Sequence, residues 1–244
     1  MKQAPESDLE ISTGSPSQLA DKLSRGKLDL AMIPAIEYLK QADSYRLIPD
    51  ISISSRNKVG SVLLASSVPL NAVRSLAVDN RSRTSIALLQ VLYPELFSGD
   101  LKLNRQEPDP DVMLNDHDAA LIIGDQALGF SKEGVSIYDL SEEWFVRTEK
   151  TFVHAVIAVR EGVRMEAGTI QVLLQAKREG LQNLDTIIQD EAKRTGHSIF
   201  LLRDYLANKI RYDFGREEIY GLMQFQLDCY KAGLVENRFP LKFI

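Results

Sequence analysis

The chain has 244 residues, 44% of them hydrophobic, enough to bury a sizeable core in one large domain or two lobes. Its 29 Lys and Arg are dispersed and the formal net charge is −5, so the electrostatic footprint of a nucleic-acid binder is missing. A single cysteine, Cys229, cannot close an internal disulfide, and no Cys/His spacing suggests a metal site, a composition that fits a reducing cytoplasm.

The front of the chain, "MKQAPESDLEIS", has neither the basic nor the apolar region of an export signal, and no run approaches the roughly 18 apolar residues of a membrane span. The first clear element is a helix in "GSPSQLADKLSRGKLDLAMIP". Ser15 stands as N-cap, Pro16 as first helical residue, Gln18 as capping-box partner and Gly26 as the stop. Leu28 to Ile33 is apolar without helical spacing, as in a strand buried on both faces, and Pro34 ends it.

The same alternation continues. "RLIPDISIS" and "SVLLASS" predict strands, "PLNAVRS" a short helix, and Leu76 to Asp79 another strand. "TSIALLQVLYPELF" predicts a helix that Pro94 interrupts or ends. "LKLNRQ", "AALIIGD", "VSIYDL" and "TFVHAVIAV" predict strands, with short helices at "DPDVMLN" and "QALGF" between them. Such interleaving predicts mainly parallel sheets covered on both faces, an α/β fold. From about Met165 the pattern is helical to the end. No stretch resembles a flexible linker, so two lobes joined by crossing strands, near Ser66 and near Val153, are expected. One lobe comprises residues 1–65 plus 155–244, the other residues 66–154.

Ligands of open α/β sheets sit outside the carboxyl ends of the strands, where helix N-termini present unpaired N–H groups. Three strand ends qualify. In "DNRSRTSIALLQVL" the hydroxyls of Ser82, Thr84 and Ser85, the cations Arg81 and Arg83 and the first helix amides suit a carboxylate or phosphate. The competing reading is N-capping with solvated arginines. In "LIIGDQAL", Gly124 allows close backbone approach and Asp125 can cap the short helix or accept a proton. In "MIPAIEYL", Pro34 and Ala35 leave room for a ligand.

Of the histidines, His117 lies in an acidic loop, His197 at a helix start and His154 inside an apolar strand, where a hydrogen-bonded core role competes with that of a base. Glu142 and Glu143 read as a solvated helix start and Trp144 as a packing residue. No nucleophile elbow, P-loop or dinucleotide fingerprint is present.

Taken in order, "PSQLADKLSRGKLDLAMIPAIEYL", "SRNKVGSVLLAS", "SRTSIALLQVL", "AALIIGDQAL", "LSEEW" and "LLRDYLANKIRYDFG" resemble the chorismate dehydratase family of the futalosine route to menaquinone. The resemblance runs from about Leu9 to Tyr230. It implies a type II periplasmic-binding-protein-like fold: two lobes of mixed sheet flanked by helices, a ligand cleft, crossing strands as hinge, and a helical C-terminal region. It further implies a cytoplasmic lyase without cofactor or metal, which dehydrates chorismate to 3-[(1-carboxyvinyl)oxy]benzoate. The partner is then a small molecule rather than a nucleic acid or a membrane, and a homodimer is compatible. Ser82, Arg83, Thr84 and Ser85 match the family's "SRTS" segment and are expected to grip a carboxylate, mainly through Ser82, Thr84, Ser85 and the helix amides, with bracing of the loop as the alternative for Arg83. Gly124 and Asp125 match its "IGD" segment on the cleft wall, with Asp125 as the candidate catalytic group. Pro34 and Ala35 match an "IPS" turn in which Ala35 replaces serine, and His154 stands where an aromatic or apolar residue is expected.

Family members begin with a strand and turn resembling "IGxVxYLNxxP", which nothing here matches. The expectation is therefore a longer native protein rather than an impaired relative, since the downstream caps and core patterns are intact. Two other readings share the fold: the sister dihydroxynaphthoate synthase, favoured by a well-placed histidine base, and a non-catalytic binder of small carboxylates.

Overall fold

The capping box starts the first helix. In the computed structural model, which describes residues 10–244, α1 (Pro16–Ser24) opens with Ser15 Oγ accepting from the Gln18 N–H at 3.3 Å. The Gln18 side chain accepts in turn from the Ser15 N–H at 3.0 Å. The front of the chain, where the export-signal and first-strand readings fall, lies outside the described residues. Gly26, at φ +71°, supplies the left-handed turn that releases the chain from α1.

Strand β1 (Leu30–Pro34), helix α2 (Ala35–Lys40) and strand β2 (Tyr45–Ser55) follow. The chain then passes through residues 56–61 into β3 (Val62–Ser66), β4 (Ser75–Asp79), α3 (Thr84–Leu92) and β5 (Lys102–Gln106). Next come α4 (Pro110–Asp116), β6 (Ala119–Ile123), β7 (Ser136–Asp139) and α5 (Leu140–Thr148). It returns as β8 (Phe152–Arg160), α6 (Ala167–Gln182), α7 (Leu184–Thr195) and α8 (Ile199–Arg203). A π-helical turn (Asp204–Lys209), the two-residue β9 (Ile210–Arg211) and α9 (Arg216–Lys231) complete it. Pro94 ends α3 and begins a 3₁₀ turn, and "QALGF" supplies only the end of another, Gly124–Gln126.

The sheets correct one expectation. The first has the order β1-β8-β2-β9 and all its pairings are antiparallel. The second has the order β5-β4-β6-β3-β7, in which β4 runs parallel to β5 and β6 while β3 is antiparallel to β6 and β7. Neither is mainly parallel. β1 and β2 do point the same way, as the local alternation implies, but β8 returns from the second sheet and inserts between them. Among the described residues β1 is an edge strand, with Leu30 and Met32 half-buried, and is not buried on both faces. β3 lies wholly in the second sheet, so the passage between sheets falls before Val62 rather than near Ser66.

One large core cluster joins the two sheets, with Ile33, Leu47 and Val156 from the first and Leu64, Leu76 and Leu121 from the second. Trp144 is fully buried and packs edge-on against Phe152 and Phe225, ring centroids 5.4 and 5.8 Å away. Behind it α9 crosses β8 at a close approach: a Cβ on Gly221 would stand 1.9 Å from the Thr151 carbonyl oxygen. Gly221→Ala forces the helix outward, a cost of about 2–3 kcal/mol by overpacking. A thermal melt is expected to show a loss of roughly 5–10 °C; an unchanged midpoint contradicts the close approach.

The passage between sheets is fastened by one carboxylate. Buried Asp139 caps α5 through the N–H groups of Ser141 (3.0 Å) and Glu142 (3.2 Å) and accepts from Val59 (3.0 Å) and Gly60 (2.5 Å). Burial pushes its pKa up against the pull of those four donors. Asp139→Ala strands buried amides as well as removing a cap, so about 3 kcal/mol is expected to be lost. Asp139→Asn, which keeps an acceptor, is expected to melt between that variant and wild type.

Candidate functional site

A cavity of about 480 Å³ opens between the two sheets, at the carboxyl ends of β1, β4 and β6. From the second sheet come Ser82, Arg83, Thr84, Ser85, Gly124 and Asp125; from the first come Met32, Pro34, Ile53 and His154. The N-terminus of α1, with Ser15 and Ser17, closes one side, and Tyr205 of the π-helical turn another.

The polar collar before α3 divides its labour by position. The helix has no side-chain N-cap, so the capping reading of Ser82 and Thr84 does not hold. Ser82 is buried, and its hydroxyl has no hydrogen-bond partner among the described residues although it lines the cavity. Ser85 lines the cavity one turn on. Thr84 faces the seam between the sheets, where its Oγ1 donates to the His154 carbonyl at 3.2 Å and accepts from the Ile36 N–H at 3.4 Å. Arg83 points the same way and donates to both carboxylate oxygens of Asp21 at 2.9 Å and to Glu37 at 3.0 Å. These bonds engage Nη1 and Nη2 of the guanidinium expected to hold a ligand, while Nε has no partner among the described residues.

Arg81 is the cation that keeps an open edge. Its Nε and Nη2 donate to the fully buried Asp79 carboxylate at 3.0 and 2.6 Å, and its Nη1 has no partner among the described residues. Because Asp79 ends a strand and Arg81 lies two residues on, the pair fixes the loop and leaves a positive edge at the cavity.

Asp125 lines the cavity but does not cap the short helix that it opens. Its carboxylate caps nothing and pairs with Arg194 of α7 at 3.0 Å, while His197 bonds its carbonyl at 3.0 Å. The side chain is half exposed, tying the cavity rim to the C-terminal helices. Gly124, at φ +64°, has open space where a Cβ would be, so the turn rather than crowding requires glycine. Ala35 is buried in the core and contributes nothing to the cavity, unlike its neighbour Pro34.

His154 belongs to the cavity wall, its Nε2 2.9 Å from Ser55 Oγ. Burial lowers its pKa to about 4, which keeps the imidazole neutral at physiological pH. Tyr205 is held up by burial above the ordinary phenol range, with Ser61 as its hydrogen-bonding neighbour. Neither Tyr205 nor Ser17 carries a sequence signal for the site. Ser15 announces itself only as a cap. Among the described residues no group of three or more His, Cys, Asp or Glu is placed to hold a metal ion, and no helix is long and apolar enough to cross a membrane.

Residues 1–231 match the family model described as menaquinone biosynthesis. The chain belongs to this menaquinone biosynthesis family. It is 33% identical to a chorismate dehydratase of Thermus thermophilus, over 86% of this chain and 83% of that protein. A chorismate dehydratase of Campylobacter jejuni is 27% identical, over 93% and 86% respectively. Among solved structures, a protein from Archaeoglobus fulgidus superposes with a TM-score of 0.74 at 16% identity, over 91% of this chain and 86% of that one. The periplasmic aliphatic sulphonate binding protein of Escherichia coli superposes at 0.60 and 14%, over 95% and 82%. This family member thus has the two-lobed periplasmic-binding-protein-like fold that its motifs imply.

Neutral His154 makes the fold sensitive to acid. The unfolded chain takes up the proton near pH 6.5 and the folded one only near 4, so stability falls as pH drops through that interval. In His154→Phe the decline from this source is expected to vanish. Melting midpoints measured from pH 7 to 4 check it, and parallel curves for the two proteins contradict it.

Proposed function

We propose that the chain is a chorismate dehydratase, a cytoplasmic lyase that converts chorismate to 3-[(1-carboxyvinyl)oxy]benzoate and water in the futalosine route to menaquinone. The observation that carries this is the 33% identity to the Thermus thermophilus enzyme across most of both chains. The cavity supports it: its volume of about 480 Å³ suits a small organic acid, and its donors suit carboxylates.

In the reaction a ring C–H bond and a C–O bond break, water leaves, and the ring becomes aromatic. Aromatisation supplies the driving force, so the protein is asked mainly to position a dianion and favour the departing hydroxyl. The Ser82 and Ser85 hydroxyls and the first amides of α3 bind one carboxylate, with the positive end of the helix dipole behind them. The open edge of Arg81 adds charge. Pro34, Gly124 and Ile53 give the ring flat walls. A lone buried thiol, Cys229, suits the reducing cytoplasm.

His154 gives the sister reading, a dihydroxynaphthoate synthase, its one favourable observation, a neutral imidazole on the cavity wall. His154→Ala abolishing cleavage of a cyclic futalosine is the result that would favour it.

Incubation with chorismate, followed by chromatography, is expected to yield the carboxyvinyloxy-benzoate; a folded protein that leaves chorismate unchanged overturns the proposal. Ser82→Ala is expected to lower kcat/KM by roughly 10–100-fold, the worth of one hydrogen bond to a charged group. Its melting point is expected to stay near wild type, because that hydroxyl has no partner among the described residues.

A further inference from the structure

We propose that Arg83 is a positioning residue, the centre of a clamp across the seam between the sheets that sets how Ser82 and Ser85 face the opposite cavity wall. The inference rests on the dehydratase reading for its kinetic consequences and on geometry alone for the clamp.

Three elements meet at Arg83. Asp21 lies on α1 and Glu37 on α2, both packed on the first sheet, while Arg83 is the residue that starts α3 of the second. One nitrogen, Nη2, bonds both Asp21 oxygens at 2.9 Å and the other, Nη1, bonds Glu37 at 3.0 Å. Glu37 is 15% exposed and Arg83 26%, so water screens this contact less than it screens a surface pair. Lys40 touches Glu37 at 3.4 Å and completes a cluster of two cations and two anions.

The next residue repeats the connection. Thr84 Oγ1 joins the Ile36 amide and the His154 carbonyl, both of the first sheet's elements. All four residues of the "SRTS" segment border the cavity, and the middle two, Arg83 and Thr84, also spend their polar groups across the seam. Asp21 and Glu37 take up Nη1 and Nη2, the two ends of the guanidinium, and leave its Nε–H without a partner among the described residues. As a clamp Arg83 acts through the placement of the neighbouring hydroxyls; as an anchor it would act through a direct bond to the ligand.

The two roles differ in how variants combine. Arg83→Gln, Glu37→Gln and their double variant are assayed with chorismate, with Arg83→Lys as the conservative control. For a clamp, both single variants lower kcat by about 10-fold with a smaller change in KM, the double variant is no worse than the worse single one, and Arg83→Lys recovers part of the loss. If Arg83→Gln raises KM while Glu37→Gln has no effect, or if the two losses multiply, the clamp is overturned. A second measurement needs no substrate. Spin labels at Ser24 on α1 and Asp116 on α4, both exposed, report the distance between lobes in full-length protein. The distance distribution is expected to broaden in both single variants, and unchanged distributions overturn the clamp. Broadened distributions in a protein whose wild type leaves chorismate intact sink the dehydratase reading and leave the clamp standing.

Discussion

The architecture depends on β8, which arrives after the whole second sheet has been made and still occupies the middle of the first. Its nine residues pair with β1 on one side and with β2 on the other. Without it, among the described residues, β1 has no strand partner for its ladder N–H and C=O groups and β2 keeps only the two-residue β9. The first sheet can therefore be completed only once the chain has gone out to the second and come back. The return fixes where the passages lie, and the cavity opens beside them. Asp139 makes the outward passage specific: one carboxylate accepts from residues on that passage and from the first turn of α5, which leads back toward β8.

The same dependence explains what was legible beforehand. Local signals with a short physical range came through: the Ser15 capping box, the Gly26 stop, the end of α3 at Pro94 and the packing of Trp144 each depend on neighbours or on plain hydrophobicity. Strand direction is not legible locally, because alternation of helices and strands describes consecutive elements, whereas β8 is inserted beside β1 from more than a hundred residues away. The ordered motifs carried the fold and the family.

The site was legible as a place more than as a set of roles. "SRTS", "IGD" and "IPA" all reach the same cavity, as strand-end logic requires. All four of positions 82–85 border the cavity, but that Arg83 and Thr84 also bond across the seam depends on where α1, α2 and β8 stand. Asp125 went to Arg194 because α7 packs over the rim, a contact no local pattern encodes. Ala35 went to the core for a related reason: once Pro34 ends β1, the next side chain points under α2 rather than into the cleft. Tyr205 comes from a π-helical turn, whose extra residue per turn shifts side chains off the face that a regular helix predicts.

The balance of charge in the cavity bears on the chemistry assigned to it. Asp79 neutralises one edge of Arg81, and Asp21 and Glu37 neutralise Arg83, so the positive field offered to a ligand is smaller than the two arginines suggest. What remains is a set of neutral donors, the hydroxyls and helix amides, plus one guanidinium edge. Neutral preorganised donors hold a carboxylate in a defined orientation at a modest electrostatic gain. An elimination that ends in an aromatic ring supplies its own driving force, and its product keeps both carboxylates. A site that bound the dianion with two free arginines would stabilise substrate and product alike, deepening the ground state and slowing release. Engaging those arginines within the protein instead spends their charge on the shape of the cleft, where it acts on orientation.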